Sequence, residues 1–142
     1  MGMDALYEKS KAQLERDEGR LKKLYYDTLQ IPTIGIGFNL KEGLDDYEID
    51  LIFQNRWDKL YTELHERLPW VETLDEARLG VLMNMAYNLG VPRLLLFKNM
   101  LAAISEGKWQ EAKAHALNSI WHSQVGARAS RLADQLLVGE WR

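Results

Sequence analysis

The segment over residues 33–37 reads Thr-Ile-Gly-Ile-Gly and interrupts a sequence that is otherwise helical in pattern. Because isoleucines alternate with glycines, a strand of these residues carries side chains on one face and bare backbone on the other. Leu24, Tyr25 and Tyr26 lie upstream, and turn-forming residues separate the two runs. We therefore predict a small antiparallel hairpin sheet from about residue 20 to residue 40.

Helical periodicity describes the remainder of the chain. A first helix is predicted over residues 4–16, with Asp4 as its N-cap. A long amphipathic helix begins near Asp45 and ends before Pro69. Thr73 or Asp75 is expected to cap a buried central helix, which Gly90 would end.

Later helices are predicted over residues 94–106, 109–118 and 127–138. Taken together, these elements predict an α+β fold that is mainly helical and carries a small β-hairpin sheet. With 142 residues the chain suits a single domain. We expect a small lobe of about residues 17–60 and a helical lobe of about residues 61–142, to which the N-terminal helix also belongs.

Composition excludes several classes of function. The chain has no cysteine, so thiolate metal sites, disulfides and cysteine nucleophiles are absent. Its net charge is −3, which argues against a nucleic-acid-binding protein with a basic surface. The N-terminal segment lacks the apolar stretch of a secretory signal, and no other stretch is apolar enough to enter a membrane.

Familiar binding motifs can also be set aside. Gly35 and Gly37 are not followed by the third glycine of a dinucleotide loop, since that position is Leu40. The acidic residues 45–50 lack the glycine and the final glutamate of a calcium loop. The three histidines share no ligand spacing. We therefore expect neither a metal nor a cofactor.

Glu18, Asp27 and Thr33 form the candidate catalytic set. Glu18 falls where the first helix ends, Asp27 in the hairpin turn and Thr33 at the start of the returning strand. Glycoside cleavage needs one carboxylic acid to protonate the leaving oxygen, and a second carboxylate to stabilise positive charge or to activate water. On spacing alone, a helix-end carboxylate and a turn aspartate are also ordinary structural residues.

The intervals resemble a known family pattern: a Glu, an Asp nine residues later and a Thr six residues after that, inside Asp-Glu-Gly and Thr-Ile-Gly-Ile-Gly. Further matches lie over residues 74–78 and 84–90, at Phe97 and Trp121, and in the Gly-Glu-Trp near the end. The sequence thus resembles the phage lysozyme family of T4-type glycoside hydrolases along nearly its whole length.

The resemblance implies roles for individual residues. Glu18 would be the general acid, protonated at the working pH, while Asp27 and Thr33 would hold the attacking water and so give inversion. Arg128 matches an arginine that lies near this glutamate, although it could be a plain surface charge. Asn39, Tyr87, Asn88 and His115 match positions that line the sugar cleft, although Tyr87 and Asn88 could equally serve helix packing. The five tryptophans are expected in the core rather than as sugar platforms.

Two departures from the family pattern stand out. Many members carry a histidine directly after Gly-x-Gly, where this chain has Phe38. Relative to the family pattern the chain is also shortened over residues 40–45, so the small lobe should be reduced. In addition, the acidic balance predicts weaker long-range attraction to an anionic cell wall, or a different salt optimum.

The favoured hypothesis is an endolysin muramidase that cuts the β-1,4 bond between N-acetylmuramic acid and N-acetylglucosamine in peptidoglycan. It would act as a monomer, be made in the host bacterial cytoplasm and reach the wall after release, for example through a holin pore. One alternative is an inactive lysozyme-like module that only binds peptidoglycan, and another is a helical interaction domain. The intact set of three residues disfavours the former, and the glycine-rich segment disfavours the latter.

Overall fold

The computed structural model describes the backbone of residues 2–142, and their side chains except at positions 2 and 120. Two compact units are present: one ends at Leu51 and the other runs from Ile52 to Arg142. Within residues 2–142, no helix combines the length and apolarity needed to cross a bilayer. The lobe boundaries expected from the sequence stay a prediction.

The N-terminal unit opens with helix α1 (Gly2–Glu18). Asp4 in its first turn and Arg16 in its last turn both suit the helix dipole. The expectation that Asp4 caps the helix is wrong, because the helix has already begun at Gly2. The helix ends where Gly19 takes a left-handed φ of 86°, which glycine adopts at little cost.

Three antiparallel strands follow in the order β1 (Leu21–Tyr26), β2 (Pro32–Gly35) and β3 (Phe38–Asn39). The predicted hairpin sheet is therefore confirmed. Leu21 pairs with Gly35 and Tyr25 pairs with Thr33, with an irregularity between them. Between these two pairs β1 advances by four residues and β2 by only two, so β1 carries a bulge.

The glycines of the Thr-Ile-Gly-Ile-Gly segment serve a turn rather than one continuous strand. Gly35 and Gly37 have φ values of 67° and 65°, so the chain reverses at residues 36–37. A Cβ on Gly35 would lie 2.5 Å from the Phe38 ring. The ring therefore packs over bare backbone, an arrangement that covers a strand glycine with an aromatic side chain.

The remaining elements are helical: α2 (Asp46–Arg67), a 3-10 turn (Pro69–Thr73), α3 (Glu76–Leu89), α4 (Val91–Leu94), α5 (Lys98–Ser105), α6 (Trp109–Leu117), α7 (Ile120–Val125) and α8 (Ala127–Val138). A capping box begins α2, since Asp45 and Glu48 exchange backbone-to-carboxylate hydrogen bonds of 3.0 and 2.8 Å. Asp75 caps α3 by accepting from the Arg78 amide, and Gly90 ends it with a φ of 85°. The sequence predicted both ends of α3.

The core of the second unit surrounds α3. Val81, Leu82 and Met85 from this helix are buried with Ile104 and Leu136 from its neighbours. Each such side chain contributes about 1.5–3 kcal/mol through removal from water. The predicted buried central helix is confirmed, and it gives the helical unit a fixed scaffold. The predicted helix over residues 94–106 is shorter in the structure, because α4 ends at Leu94 and α5 begins only at Lys98.

Candidate active site

Glu18 is the last residue of α1, as the sequence predicts, and its side chain reaches the turn between β2 and β3. A Cβ built on Gly37 would lie 2.8 Å from Glu18 Oε2 and 3.2 Å from Glu18 Cδ. The carboxyl group therefore rests against the bare backbone of the turn. The residue is otherwise exposed, so it has access to a substrate.

Asp27 lies in the β1–β2 loop and is half-buried. Its Oδ1 accepts hydrogen bonds from the backbone amides of Leu29 at 2.8 Å and Ile31 at 2.9 Å. Its backbone oxygen accepts from the amide of Gln30, which has a left-handed φ of 63°. The loop thus fixes the direction of the carboxylate through main-chain groups, an arrangement typical of Asp in turns.

Thr33 is 4% exposed, and its hydroxyl donates to the backbone oxygen of Ile31 at 2.8 Å. The same oxygen accepts from the Asp27 amide at 3.1 Å. Asp27 and Thr33 therefore both form hydrogen bonds with the backbone of Ile31. The hairpin brings the two residues together, as the sequence predicts. Because the Thr33 hydroxyl hydrogen is already committed, the lone pairs of its oxygen can accept a hydrogen bond.

Asn39 is the cross-strand partner of Thr33 in the β2–β3 pair. Its Oδ1 accepts from the amides of Lys41 at 2.9 Å and Glu42 at 3.4 Å. These bonds shape the turn after β3. Four of the residues predicted from the sequence thus lie in the N-terminal unit, three of them in or beside its small sheet and Glu18 against the turn that joins two strands.

The second unit carries an open groove of about 460 Å³ that includes two further predicted residues, Tyr87 and Arg128. The Tyr87 ring lies 5.6 Å from that of Phe53. Arg128 donates through Nε at 2.9 Å and Nη2 at 2.7 Å to Asn84 Oδ1. Asn84 was not among the predicted site residues, because nothing in its local pattern sets it apart from other helix residues.

Asn88 and His115 lie in the same unit but are not among the residues that line the groove. Asn88 Oδ1 accepts a hydrogen bond of 3.1 Å from the indole Nε1 of the buried Trp121. This contact supports the packing interpretation of Asn88, although the residue itself is exposed. His115 is exposed on α6. Among the residues described, no cluster of His, Asp and Glu could hold a metal ion.

The tryptophans divide between core and groove. Trp121 is buried, and Trp70 and Trp109 pack against the core. The expectation that all five lie in the core is wrong for Trp57 and Trp141, which are exposed and line the groove. Trp141 packs directly on α3 at Gly80, where a side chain would collide with its ring. Only the absence of a side chain at position 80 permits that contact.

Known proteins resemble the chain over most of its length. It is 28% identical to the protein "Probable T4-type lysozyme 1" of Dictyostelium discoideum, over 91% of this chain and 94% of that protein. "Probable T4-type lysozyme 2" of the same organism is 27% identical with the same coverage. The "Pre-baseplate central spike protein Gp5" of Enterobacteria phage T4 is 28% identical over 89% of this chain, but the match spans only 27% of the spike protein.

The sequence model for phage lysozyme matches residues 15–135. That range begins before Glu18 and includes the whole sheet, α3 and most of α8. The small sheet and the helical unit fit the α+β fold that the resemblance implies. The chain therefore belongs to the phage lysozyme family.

Proposed function

We propose that this protein is a muramidase that hydrolyses the β-1,4 bond between N-acetylmuramic acid and N-acetylglucosamine in peptidoglycan. The observation that carries the proposal is the anchoring of the three candidate residues. Asp27 and Thr33 share the backbone of Ile31, and Glu18 rests on the turn at the other end of β2. A glycosidase needs such an acid on one side of the bond and a held water on the other.

In the proposed reaction, the Glu18 carboxylic acid gives its proton to the glycosidic oxygen as the bond from that oxygen to the sugar C1 breaks. The leaving sugar departs as a neutral alcohol, and positive charge develops on the C1 side. Glu18 is left as a carboxylate, which a proton from solvent restores. The exposure of Glu18 supports this step, because both substrate and solvent can reach the group.

Asp27 and Thr33 would position the attacking water. Asp27 Oδ1 already accepts two amides, so Oδ2 is the oxygen that can take a proton from water. The Thr33 oxygen can accept the second hydrogen of that water, because its own hydrogen points to Ile31. The water oxygen bonds to C1 from the face opposite the leaving group as Asp27 takes the proton, which inverts the anomeric centre. Asp27 then releases that proton to solvent, which restores the carboxylate.

Inversion requires room for a water between the two carboxyl groups, which inverting glycosidases keep about 6.5–9.5 Å apart. Glu18 rests on the turn that follows β2, and Asp27 lies in the loop that precedes it, so the strand lies between the two anchoring points.

Loss of turbidity in a peptidoglycan suspension tests the proposal. We expect wild-type protein to lyse the suspension and Glu18→Gln to slow lysis by roughly 10²–10⁴-fold, the range that general acid catalysis provides. Glu8→Gln is a matched control, because Glu8 is an exposed residue of the same helix. Equal lysis by Glu18→Gln and wild type would remove Glu18 from the mechanism.

The role of the held water has its own test. Asp27→Ala and Thr33→Ala should each slow turnover strongly, whereas Thr62→Ala, at an exposed position on α2, should not. NMR of the newly formed anomer should show inversion. Retention would instead assign Asp27 as a nucleophile, and binding to peptidoglycan without any cleavage by the wild type would favour the inactive lysozyme-like module.

The cellular setting proposed is that of an endolysin. The protein would be made in the bacterial cytoplasm and would act on the wall after release, as a monomer. Fractionation of producing cells with and without a holin-type pore would test this proposal. Wall degradation that does not require such a pore would contradict it.

A further inference from the structure

Gly37, in the β2–β3 turn, lies against the side chain of the candidate acid Glu18. A methyl group at position 37 would lie 2.8 Å from Glu18 Oε2 and 3.2 Å from both Cβ and Cδ of Glu18. The first distance is shorter than Cβ atoms tolerate and the other two are tighter than ordinary packing, so the flexible end of the exposed Glu18 side chain would have to move aside. The Glu18 side chain thus occupies the space that any other residue at position 37 would fill.

This contact limits a side chain that is otherwise weakly held. Within the described part of the N-terminal unit, no ion pair holds Glu18. A glutamate at the end of a helix has several rotamers, and fixing one of them costs entropy. Packing against the turn removes some of those rotamers in advance, which favours catalysis because small displacements of a reacting group slow the reaction.

We propose that Gly37 is a positioning residue for Glu18, because the missing side chain at position 37 sets the direction in which the acid presents its proton. The inference rests on the proposed function of Glu18 as general acid. It concerns the orientation of the Glu18 carboxyl group and not the identity of the proton donor. The substrate is the one proposed above, the glycan strand of peptidoglycan.

A substitution at Gly37 both strains the backbone and disturbs Glu18. A control substitution at a second glycine distinguishes the two effects. Gly37 has a φ of 65°, so alanine there is strained by the backbone as well as by Glu18. Gly43 lies in the same unit with a φ of 80°, but a Cβ at that position meets nothing within 4 Å. Gly43→Ala therefore carries a comparable backbone penalty without contact to Glu18.

Steady-state kinetics on soluble peptidoglycan fragments provide the first test. We expect Gly37→Ala to lower kcat by roughly 10- to 100-fold while KM changes by less than about twofold, since the acid is displaced and the sugar contacts are kept. Gly43→Ala should keep kcat near wild type. Equal kcat values for the two variants would overturn the proposal, as would a loss confined to KM.

A further variant keeps the test valid if Gly37→Ala does not fold. Asparagine adopts positive φ more readily than alanine but still carries a Cβ. Gly37→Asn should therefore retain the fold and show the same loss of kcat. A folded Gly37→Asn protein with wild-type kcat would contradict the proposal.

NMR tests the contact without reference to activity. In wild-type protein, nuclear Overhauser effects should connect the Gly37 α protons to the Glu18 side chain. Three-bond couplings should show a changed Glu18 rotamer in Gly37→Ala and an unchanged one in Gly43→Ala. Missing Overhauser effects would overturn the Gly37 proposal alone, whereas an inactive wild type would remove the proposed function.

Discussion

Arg128, which matches an arginine of the family pattern, is held by the side-chain oxygen of Asn84. The resemblance implies an arginine near Glu18. In the structure, the half-buried Arg128 directs two N–H groups to Asn84 Oδ1 within the helical unit. A shared acceptor of this kind fixes the plane of the guanidinium group. Arg128 is therefore an oriented cation at the groove rather than a free surface charge.

Removal of that acceptor should cost stability. We expect Asn84→Ala to lower the free energy of unfolding by about 1–3 kcal/mol, because the half-buried guanidinium loses its hydrogen-bond partner. Asn55→Ala removes the same side chain from an exposed position on α2. It should change the free energy of unfolding by less than about 0.5 kcal/mol. Urea unfolding measures both values. Equal losses would show that the Arg128 contact adds little.

At the same scale, the sequence predicted the places of the candidate residues better than their contacts. Glu18 at a helix end and Asp27 and Thr33 in a hairpin follow from local patterns, whereas their choice as a catalytic set comes from the family resemblance. The contact between Glu18 and Gly37 could not be predicted, because a glycine at position 37 suits a strand as well as a turn. Only the observed register, in which β2 stops at Gly35, resolves that ambiguity.

Among the elements, α4 and α5 show where helix prediction fails. Residues 94–98 read Leu-Leu-Leu-Phe-Lys and contain no glycine or proline to mark a break. The chain nevertheless leaves the helix between Leu94 and Lys98, and Phe97 precedes α5 without a side-chain cap. Burial of Leu94 and packing of Phe97 against the core accompany this break. Tertiary packing outweighs local propensity there.

By contrast, Asp75 and Gly90 are local signals, so the ends of α3 were predictable.

Helices α6 and α8 are linked at the surface by an ion pair of 2.7 Å between Lys113 Nζ and Asp134 Oδ1. The Lys113 hydrogen bond, and then its charge, lower the pKa of Asp134 below the ordinary value of 3.8. Folding therefore favours the carboxylate form. The pair contributes stability above pH 3.8, and this contribution is lost as the pH falls through the lowered pKa.

Asp134→Asn tests this link. At pH 7 the variant should unfold at a lower temperature than wild type, and the difference should shrink below pH 3.8 as wild-type Asp134 takes up its proton. The effect should be small, because the pair is exposed. Asp58→Asn, at an exposed position on α2, removes the same charge without that ion pair. A pH-independent difference for Asp134→Asn would contradict the assignment.

For the whole molecule, net charge is the property that bears most on the proposed substrate. The chain carries a formal charge of −3, so an anionic wall attracts it weakly or repels it. The Debye length falls from about 30 Å at 0.01 M salt to about 8 Å at 0.15 M. Salt should therefore screen repulsion rather than attraction between this protein and such a wall.

We expect wild-type lysis to be unchanged or faster when salt is raised over that range. Glu66→Lys together with Glu72→Lys replaces two exposed carboxylates and changes the net charge from −3 to +1. That double variant should lyse faster at low salt and lose the advantage as salt is raised. Turbidity assays at both ionic strengths measure this. A steep fall of wild-type lysis with salt would show that a local basic region outweighs the net charge.

The shared backbone of Ile31 has an evolutionary consequence. Its amide and carbonyl make the links to Asp27 and Thr33, and neither link uses the isoleucine side chain. Most replacements at position 31 can therefore keep both bonds, and proline stands apart because it has no amide hydrogen. Side chains held in this way can persist while the surrounding sequence drifts, since mutation replaces side chains and leaves the peptide backbone intact.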